Sequence, residues 1–340
     1  GGPFRPVDEI EGWQGESWQI TIKQAGPPRT EALLSPGPPR HGTARGGTSI
    51  LKHQALCPFR AFASNRLGAV GLETPADGIS PKLHGSLMHR VLENFWTETR
   101  TFDALISLDD PALEQRIRRH VDQVIFDERS LTDRPEFREV EGNRLARLAA
   151  ACIDLEKSRD PFEVVGFEKE ILQEIEGQPI RLVIDRIDRL PGGENVIIDY
   201  KTGKVDPKKW FGDRPEDPQL PLYAISADAT PAAIAFAVIR DEECLYRGVV
   251  TQEGIFPGLP PRPGVHNASI IEAGQNIQVT IDNWRSTLHR LMAEFIAGNA
   301  AVDPKNGRKT CLNSYCDLQP LCRITELEQL RTVRDQEACS

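Results

Sequence analysis

Hydrophobic positions change their period twice along the chain. From Ser49 to Ser158 apolar residues recur at helical spacing, from Phe162 to Gly203 they alternate, and beyond Gln219 the two patterns interleave. The first stretch predicts a helix over residues 50–67, capped by Thr48 or Ser49, and a second over 82–99. In the second, Leu87, Val91 and Phe95 lie on one side and Leu92 and Trp96 on the other, so it is expected to be buried nearly all round. Two more helices are predicted over 111–129 and 139–158, with Pro161 as the stop.

The alternating stretch reads as three antiparallel strands, 162–175, 180–190 and 195–203, joined by turns at "EGQP" and "PGGEN". After them come a helix at "QLPLYAISA", a buried strand at "AIAFAVIR" with "LYRGVVT" as its partner, and an amphipathic helix stopped by Gly298. Helices, then a strand meander, then helix and strand again predict one α/β domain on a mixed central sheet flanked by helices. Its bounds are placed at 48–326. Residues 1–47, rich in Pro, Gly and Arg, read as an arm or linker, with Trp13, Trp18 and the possible strand "SWQITIK" as the end of a preceding domain. Residues 327–340 read as a charged tail, and the absence of an initiator Met fits a piece of a longer polypeptide.

Composition narrows the class. Of the 340 residues, 39% are hydrophobic and 27% charged, which suits a globular chain and not a disordered one. No apolar run approaches the ~20 residues of a membrane span, and no secretory leader is visible. A cytoplasmic, nucleoid-associated protein of bacterial type is therefore expected. The net charge of −9 argues against a surface coated for nucleic acid, but leaves room for a basic groove beside bound cations. Seven cysteines without a secretory leader read better as metal ligands than as a disulfide framework.

The sharpest chemistry lies in the strand hairpin. Asp199 and Lys201 are two apart on one strand and share a face, with Asp185 on the strand before. Paired carboxylates on adjacent strands repel unless a cation sits between them, and hard oxygen ligands suit Mg²⁺ or Mn²⁺. Lys201 is placed to orient a metal-bound water or to offset charge on a phosphate. A solvated Asp–Lys hairpin is the alternative. His89 shares a helix face with Gly85 and Glu93, and Gly85 would open space beside the imidazole. Gln219 and Tyr223 lie one helical turn apart. Three cysteines, Cys311, Cys316 and Cys322, cluster near the C-terminal end, and Cys57 lies far upstream; together they can form a four-thiolate site, with zinc or isolated buried thiols as alternatives. Cys152, Cys244 and Cys339 have no clustered partner. Lys204, Lys208, Lys209 and Arg214 follow the catalytic strand as a basic rim that could guide a phosphate backbone.

In order and rough spacing, "GSLMHRVLE", "LVIDRIDRL", "IIDYKTGK" and "QLPLYA" resemble the RecB-like branch of the PD-(D/E)xK nucleases, over about Ser49 to Ile324. The resemblance implies a restriction-endonuclease-like core. It makes His89, Asp185, Asp199 and the Tyr200 carbonyl ligands of Mg²⁺ or Mn²⁺ and Lys201 the catalytic lysine. Gln219 and Tyr223 then lie on a helix that supports the site and faces DNA. Leu182 stands where the family often has Gly, and Asp188, on the opposite strand face, is the rival first acid. The cysteine set resembles the staple of AddB-type and CRISPR-adaptation nucleases, which implies a [4Fe–4S] cluster on Cys57, Cys311, Cys316 and Cys322. Those relatives usually have two residues between the first pair of the triplet, where this chain has four. The implied activity is exonucleolytic cleavage of DNA in a helicase–nuclease for break repair. The helicase would be a partner subunit or domain, since no Gly-x4-Gly-Lys-Ser/Thr loop occurs. A stand-alone adaptation-type exonuclease and a non-catalytic iron–sulfur DNA-binding module are the alternatives.

Overall fold

A computed structural model describes residues 46–71, 78–131, 134–240, 243–259 and 277–328. The arm with its possible strand and the last twelve residues of the expected tail lie outside the described residues.

Helix α1 (Ser49–Leu56) is followed by α2 (Pro58–Ala61) and a π-helical turn, Phe62–Arg66. The single helix expected over 50–67 is thus broken. Pro58 forces its predecessor out of the helical region, and Cys57 is extended at φ −167°. Thr48 stands at the N-terminus of α1 without making a side-chain cap. Helix α3 (Pro81–Thr99) is capped by Ser80, whose hydroxyl accepts from the Leu83 N–H at 3.1 Å. Leu87, Val91, Phe95, Leu92 and Trp96 are all buried, as its two-sided apolar pattern demands. Then come α4 (Phe102–Ile106), α5 (Asp110–Asp127) and α6 (Pro135–Glu156). Helix α6 stops before the expected Pro161, because the chain turns at Lys157.

Five strands form one sheet in sequence order: β1 (Glu163–Ile175), β2 (Gln178–Arg189), β3 (Asn195–Lys201), β4 (Ala233–Arg240) and β5 (Glu243–Val250). All neighbours are antiparallel except β3 and β4. That parallel pair needs a crossover, which runs through α7 (Gln219–Ile225). Helix α8 (Ile277–Ile296) follows, and the short helices α9 (Arg308–Asn313) and α10 (Gln319–Cys322) close the described chain.

The sheet separates two cores. Val196 and Ile198 of β3 pack with α3, α5 and α6 on one face. On the other face, Ile197 packs with α1, α7 and α8. Strict alternation along β1 and β2 fails at one step. Phe167 and Arg186, paired across the strands, face the first core, whereas Ile171 and Ile184 face the second. Between them Glu168 has φ +40°, in the left-handed region that non-glycine residues seldom adopt. The β1–β2 ribbon turns over at this point. Leu182, where the family often has Gly, is fully buried in the second core.

Candidate metal centre and its setting

Three strands and two helices converge where β2 leaves β3. The β2–β3 ladder runs up to Arg186↔Ile198, and the next residues across are Asp185 and Asp199. There a side chain replaces the backbone pair: the Asp185 carboxylate accepts from the Tyr200 N–H at 2.8 Å. Asp199 is fully buried. Neither of its oxygens accepts a well-directed hydrogen bond, and the Lys201 ammonium lies against one of them. Lys201 Nζ also donates to Gln219 Oε1 at 3.0 Å, Gln219 Nε2 donates to the Tyr223 hydroxyl at 2.7 Å, and that hydroxyl donates to the Val183 carbonyl on β2. The Gln219–Tyr223 pair thus ties the lysine on β3 to the strand carrying Asp185.

Helix α3 supplies His89 from the other side. Its Nε2 donates to the Tyr200 carbonyl at 2.8 Å, and its Nδ1 lies 3.4 Å from Asp185 Oδ2. Burial lowers the His89 pKa, with Asp199 opposing, so the ring is neutral near pH 7. With the proton on Nε2, the Nδ1 lone pair meets a carboxylate oxygen. Gly85 permits this approach in an unexpected way: a Cβ there would come 3.3 Å from Thr202 Oγ1, so it clears the end of β3 and not the imidazole.

Electrostatics point one way. Burial and then the charge of Asp199 push the Asp185 carboxyl well above the usual carboxylate range, against the pull of Lys201. Burial opposes the charged form of Lys201, but Asp199 and Asp185 together raise its pKa. This pattern is an excess of acid in a partly desolvated pocket, the setting that a divalent cation relieves. The oxygen-rich donor set and the unbonded Asp199 carboxylate fit Mg²⁺ or Mn²⁺.

One acid of the site is absent from the sequence reading. Glu168 lines the same pocket as His89, Asp185, Gln219 and Tyr223, and its carboxylate, a His89 nitrogen and an Asp185 oxygen all lie within 4.8 Å of one another. The signal was available: the Ile175↔Gln178 pair at the β1–β2 turn fixes a register that sets Glu168 opposite Asp185. The rival acid Asp188 lies elsewhere, fully buried between Arg186 and Arg159 on the opposite face.

The basic rim divides. Lys204, Lys208 and Lys209 are exposed beyond β3, with Lys209 3.5 Å from Glu216. Arg214 donates to the Ala55 and Leu56 carbonyls and to Asp303, joining α1 to the C-terminal segment. Cys57, Cys311, Cys316 and Cys322 gather where the two ends of the domain meet: Phe59 N–H donates to the Ala301 carbonyl at 2.9 Å and Arg60 to Ser314 Oγ at 2.7 Å. Cys311, Cys316 and Cys322 share a small core with Phe59, and Cys57 is close enough for its charge to bear on Cys311 and Cys322. Burial, then the neighbouring thiols, push the Cys311 thiol up to about 11. No three of these sulfurs lie within 4.8 Å of one another, a wider spread than the roughly 3.8 Å between thiolates implied by Zn–S bonds of ~2.3 Å.

A mixed sheet that holds two acids and a lysine at the divergence of two strands, with a histidine from a flanking helix, defines a metal-dependent nuclease class of site. The chain belongs to the PD-(D/E)XK nuclease superfamily, whose family model matches residues 48–323. Among solved structures, the crystal structure of SSO0001 is similar over 73% of this chain and 84% of that one, at 14% identity and a TM-score of 0.23. No curated protein matches the chain. Members of the superfamily are metal-dependent nucleases acting on DNA. Among the described residues, no helix is long and apolar enough to cross a membrane.

Proposed function

We propose that this chain is the exonuclease part of an AddB/RecB-like helicase–nuclease that processes DNA ends in break repair in the bacterial cytoplasm, beside the nucleoid. Residues 48–326 form the nuclease domain, flanked by an arm and a charged tail. The observation that carries the reading is the buried Asp199 carboxylate, with no well-directed hydrogen bond, beside Asp185 and Lys201 in a chain of this superfamily.

His89, Asp185, Asp199 and the Tyr200 carbonyl are the residues to hold Mg²⁺ or Mn²⁺. Such an ion supplies Lewis acidity and lowers the pKa of water toward neutrality. The protein's own groups do the rest. Lys201, held by Gln219 and Tyr223, keeps its ammonium where negative charge builds as water oxygen bonds to phosphorus and the bond from phosphorus to the sugar oxygen breaks. His89 stays neutral and keeps a lone pair for coordination. Exposed Lys204, Lys208 and Lys209 steer the phosphate backbone toward the site.

The four cysteines hold a [4Fe–4S] cluster that staples the two ends of the domain, a reading that the wide spread of their sulfurs supports. The cluster's chemistry is structural here.

The test of activity uses end-labelled linear and closed circular DNA with Mg²⁺, Mn²⁺ or EDTA. Release of end label from linear DNA, with the circle intact and EDTA abolishing the reaction, is expected. Persistence of linear DNA under every metal overturns the reading. A helicase partner predicts faster, ATP-dependent degradation of kilobase duplexes when the motor is added. Anaerobically purified protein should be brown and contain iron and acid-labile sulfide, and Cys57→Ala should lose colour and solubility together. A colourless, folded protein with stoichiometric zinc would replace the cluster with a zinc staple.

A further inference from the structure

The register of β1 against β2 steps from Phe167↔Arg186 to Lys169↔Ile184, leaving Glu168 and Asp185 opposite each other and outside the ladder. The register of β2 against β3, extended by one residue, leaves Asp199 opposite Asp185. Three carboxylates therefore stand in a row across three adjoining strands. Like charges directly opposite on neighbouring strands are destabilising. The left-handed backbone at Glu168 adds to the cost, because it is the point at which the ribbon turns over and carries this carboxylate into the pocket.

Nothing on the protein offsets this row. Lys201 is its one adjoining cation and lies against Asp199. Of the two arginines lining the pocket, Arg90 faces Asp127 and Glu128 at 3.8 Å, and Arg181 grips Glu170. Glu93 lines the same pocket and adds to the acid. Two independent details mark where a cation fits. Asp199 is wholly buried with neither oxygen in a well-directed hydrogen bond. His89 Nδ1, whose partner nitrogen donates to the Tyr200 carbonyl, points its lone pair at Asp185 Oδ2 3.4 Å away. The first detail lies between Asp185 and Asp199, and the second between Asp185 and the Glu168 side of the pocket.

We propose that Glu168 is a metal ligand and that the site takes two divalent cations: one between Asp185 and Asp199, the other between His89, Glu168 and Asp185, with Asp185 shared. The proposal rests on the metal-centre reading above but not on hydrolysis of DNA. Two ions on a shared carboxylate would make Glu168 the residue that divides a two-ion site from a one-ion site.

The test is calorimetric titration of the full chain, dialysed free of divalent ions, with MnCl₂. Glu168→Gln and Glu168→Ala are compared with Glu170→Gln, a nearby carboxylate that pairs with Arg181 outside the pocket. Far-UV circular dichroism and melting in EDTA report the fold of each variant. The parent and Glu170→Gln should bind about two Mn²⁺ per chain, and both Glu168 variants about one. The EDTA melting temperature of the Glu168 variants should equal or exceed the parent's, because repulsion is relieved. A parent that binds a single ion, or folded Glu168 variants that bind two or none, overturns the proposal. Titration needs no DNA, so failure of nuclease activity and failure of this assignment are read separately.

Discussion

Strands β2 and β3 carry charged side chains on both faces, and the two groups are assembled differently. Toward the first core, Arg186, Arg159, Glu156 and Asp188 are completely buried, two cations against two anions. Arg186 grips Asp188 and Glu156, and the Tyr200 and Tyr246 hydroxyls join the same network at 3.1 and 2.5 Å. Toward the pocket, Asp185, Asp199 and Glu168 meet the single ammonium of Lys201. A buried charge is tolerated when its partners are fixed and equal in number. The balanced cluster is a scaffold, and the unbalanced one is a binding site. Tyr200 belongs to both: its hydroxyl is held by Arg186 while its N–H and carbonyl bind Asp185 and His89. The scaffold thereby fixes the stretch of backbone between Asp199 and Lys201.

The contrast breaks most violently at Arg186. Arg186→Ala leaves Glu156 and Asp188 short of a buried partner and should cost about 3–5 kcal/mol, measured by urea unfolding. A loss below about 1 kcal/mol would mean that the cluster is not a closed charge balance. At Asp199 the opposite should hold. Asp199→Asn removes one of the repelling charges, so stability in EDTA should stay level or rise, while the rate of DNA hydrolysis falls about 10²–10³-fold. Loss of stability together with activity would place Asp199 among the scaffold residues.

A third experiment sharpens the comparison through pH. The raised carboxyl of Asp185, shifted by burial and Asp199, and that of Glu168, shifted by burial, Glu93 and Asp199, both disfavour the ionised fold. Their penalty is absent below the unfolded carboxylate pKa, grows as pH rises toward the folded value, and is complete above it. Saturating Mg²⁺ or Mn²⁺ should therefore raise the melting temperature more at pH 7.5 than at pH 5, with a gain of about 2.7 kcal/mol at a hundred times Kd. An equal shift at both pH values would disconnect the metal from these acids. The smallest effect belongs to Gln219→Ala, which frees Lys201 from one hydrogen bond. Hydrolysis should slow on the order of tenfold with metal affinity unchanged, since a bond to a charged group contributes about 1.5–3 kcal/mol.

Alternation made Asp199 and Lys201 legible as one face, and helical spacing made α3 and its His89 legible as a buried element. The order of short motifs then pointed to the superfamily. What escaped depends on distant neighbours. Arg186 and Asp188 are charges in a strand, which in isolation suggest solvent, and only the partners Glu156 and Arg159 from outside the strand make their burial affordable. Glu168 escaped because its role depends on a register set at the turn and on a backbone angle that turns the ribbon over. The break at Cys57 was legible in the Cys-Pro pair, whose local restriction outweighs the helical pattern around it.

The meeting of the two ends of the domain has a consequence for synthesis. Arg60 and Ser314, joined in the folded protein, are 254 residues apart. At roughly 5–20 residues per second, the first two helices wait about 13–50 s after emerging from the ribosome before their partner exists. Through that interval Ile50, Leu51 and Ala55, buried in the finished domain, have no final surface to rest on. A nascent chain of this design depends on shielding at its front end, and its nuclease pocket, bordered by Gly46, Gly47 and Thr48, is completed only after translation has passed the last of the clustered cysteines.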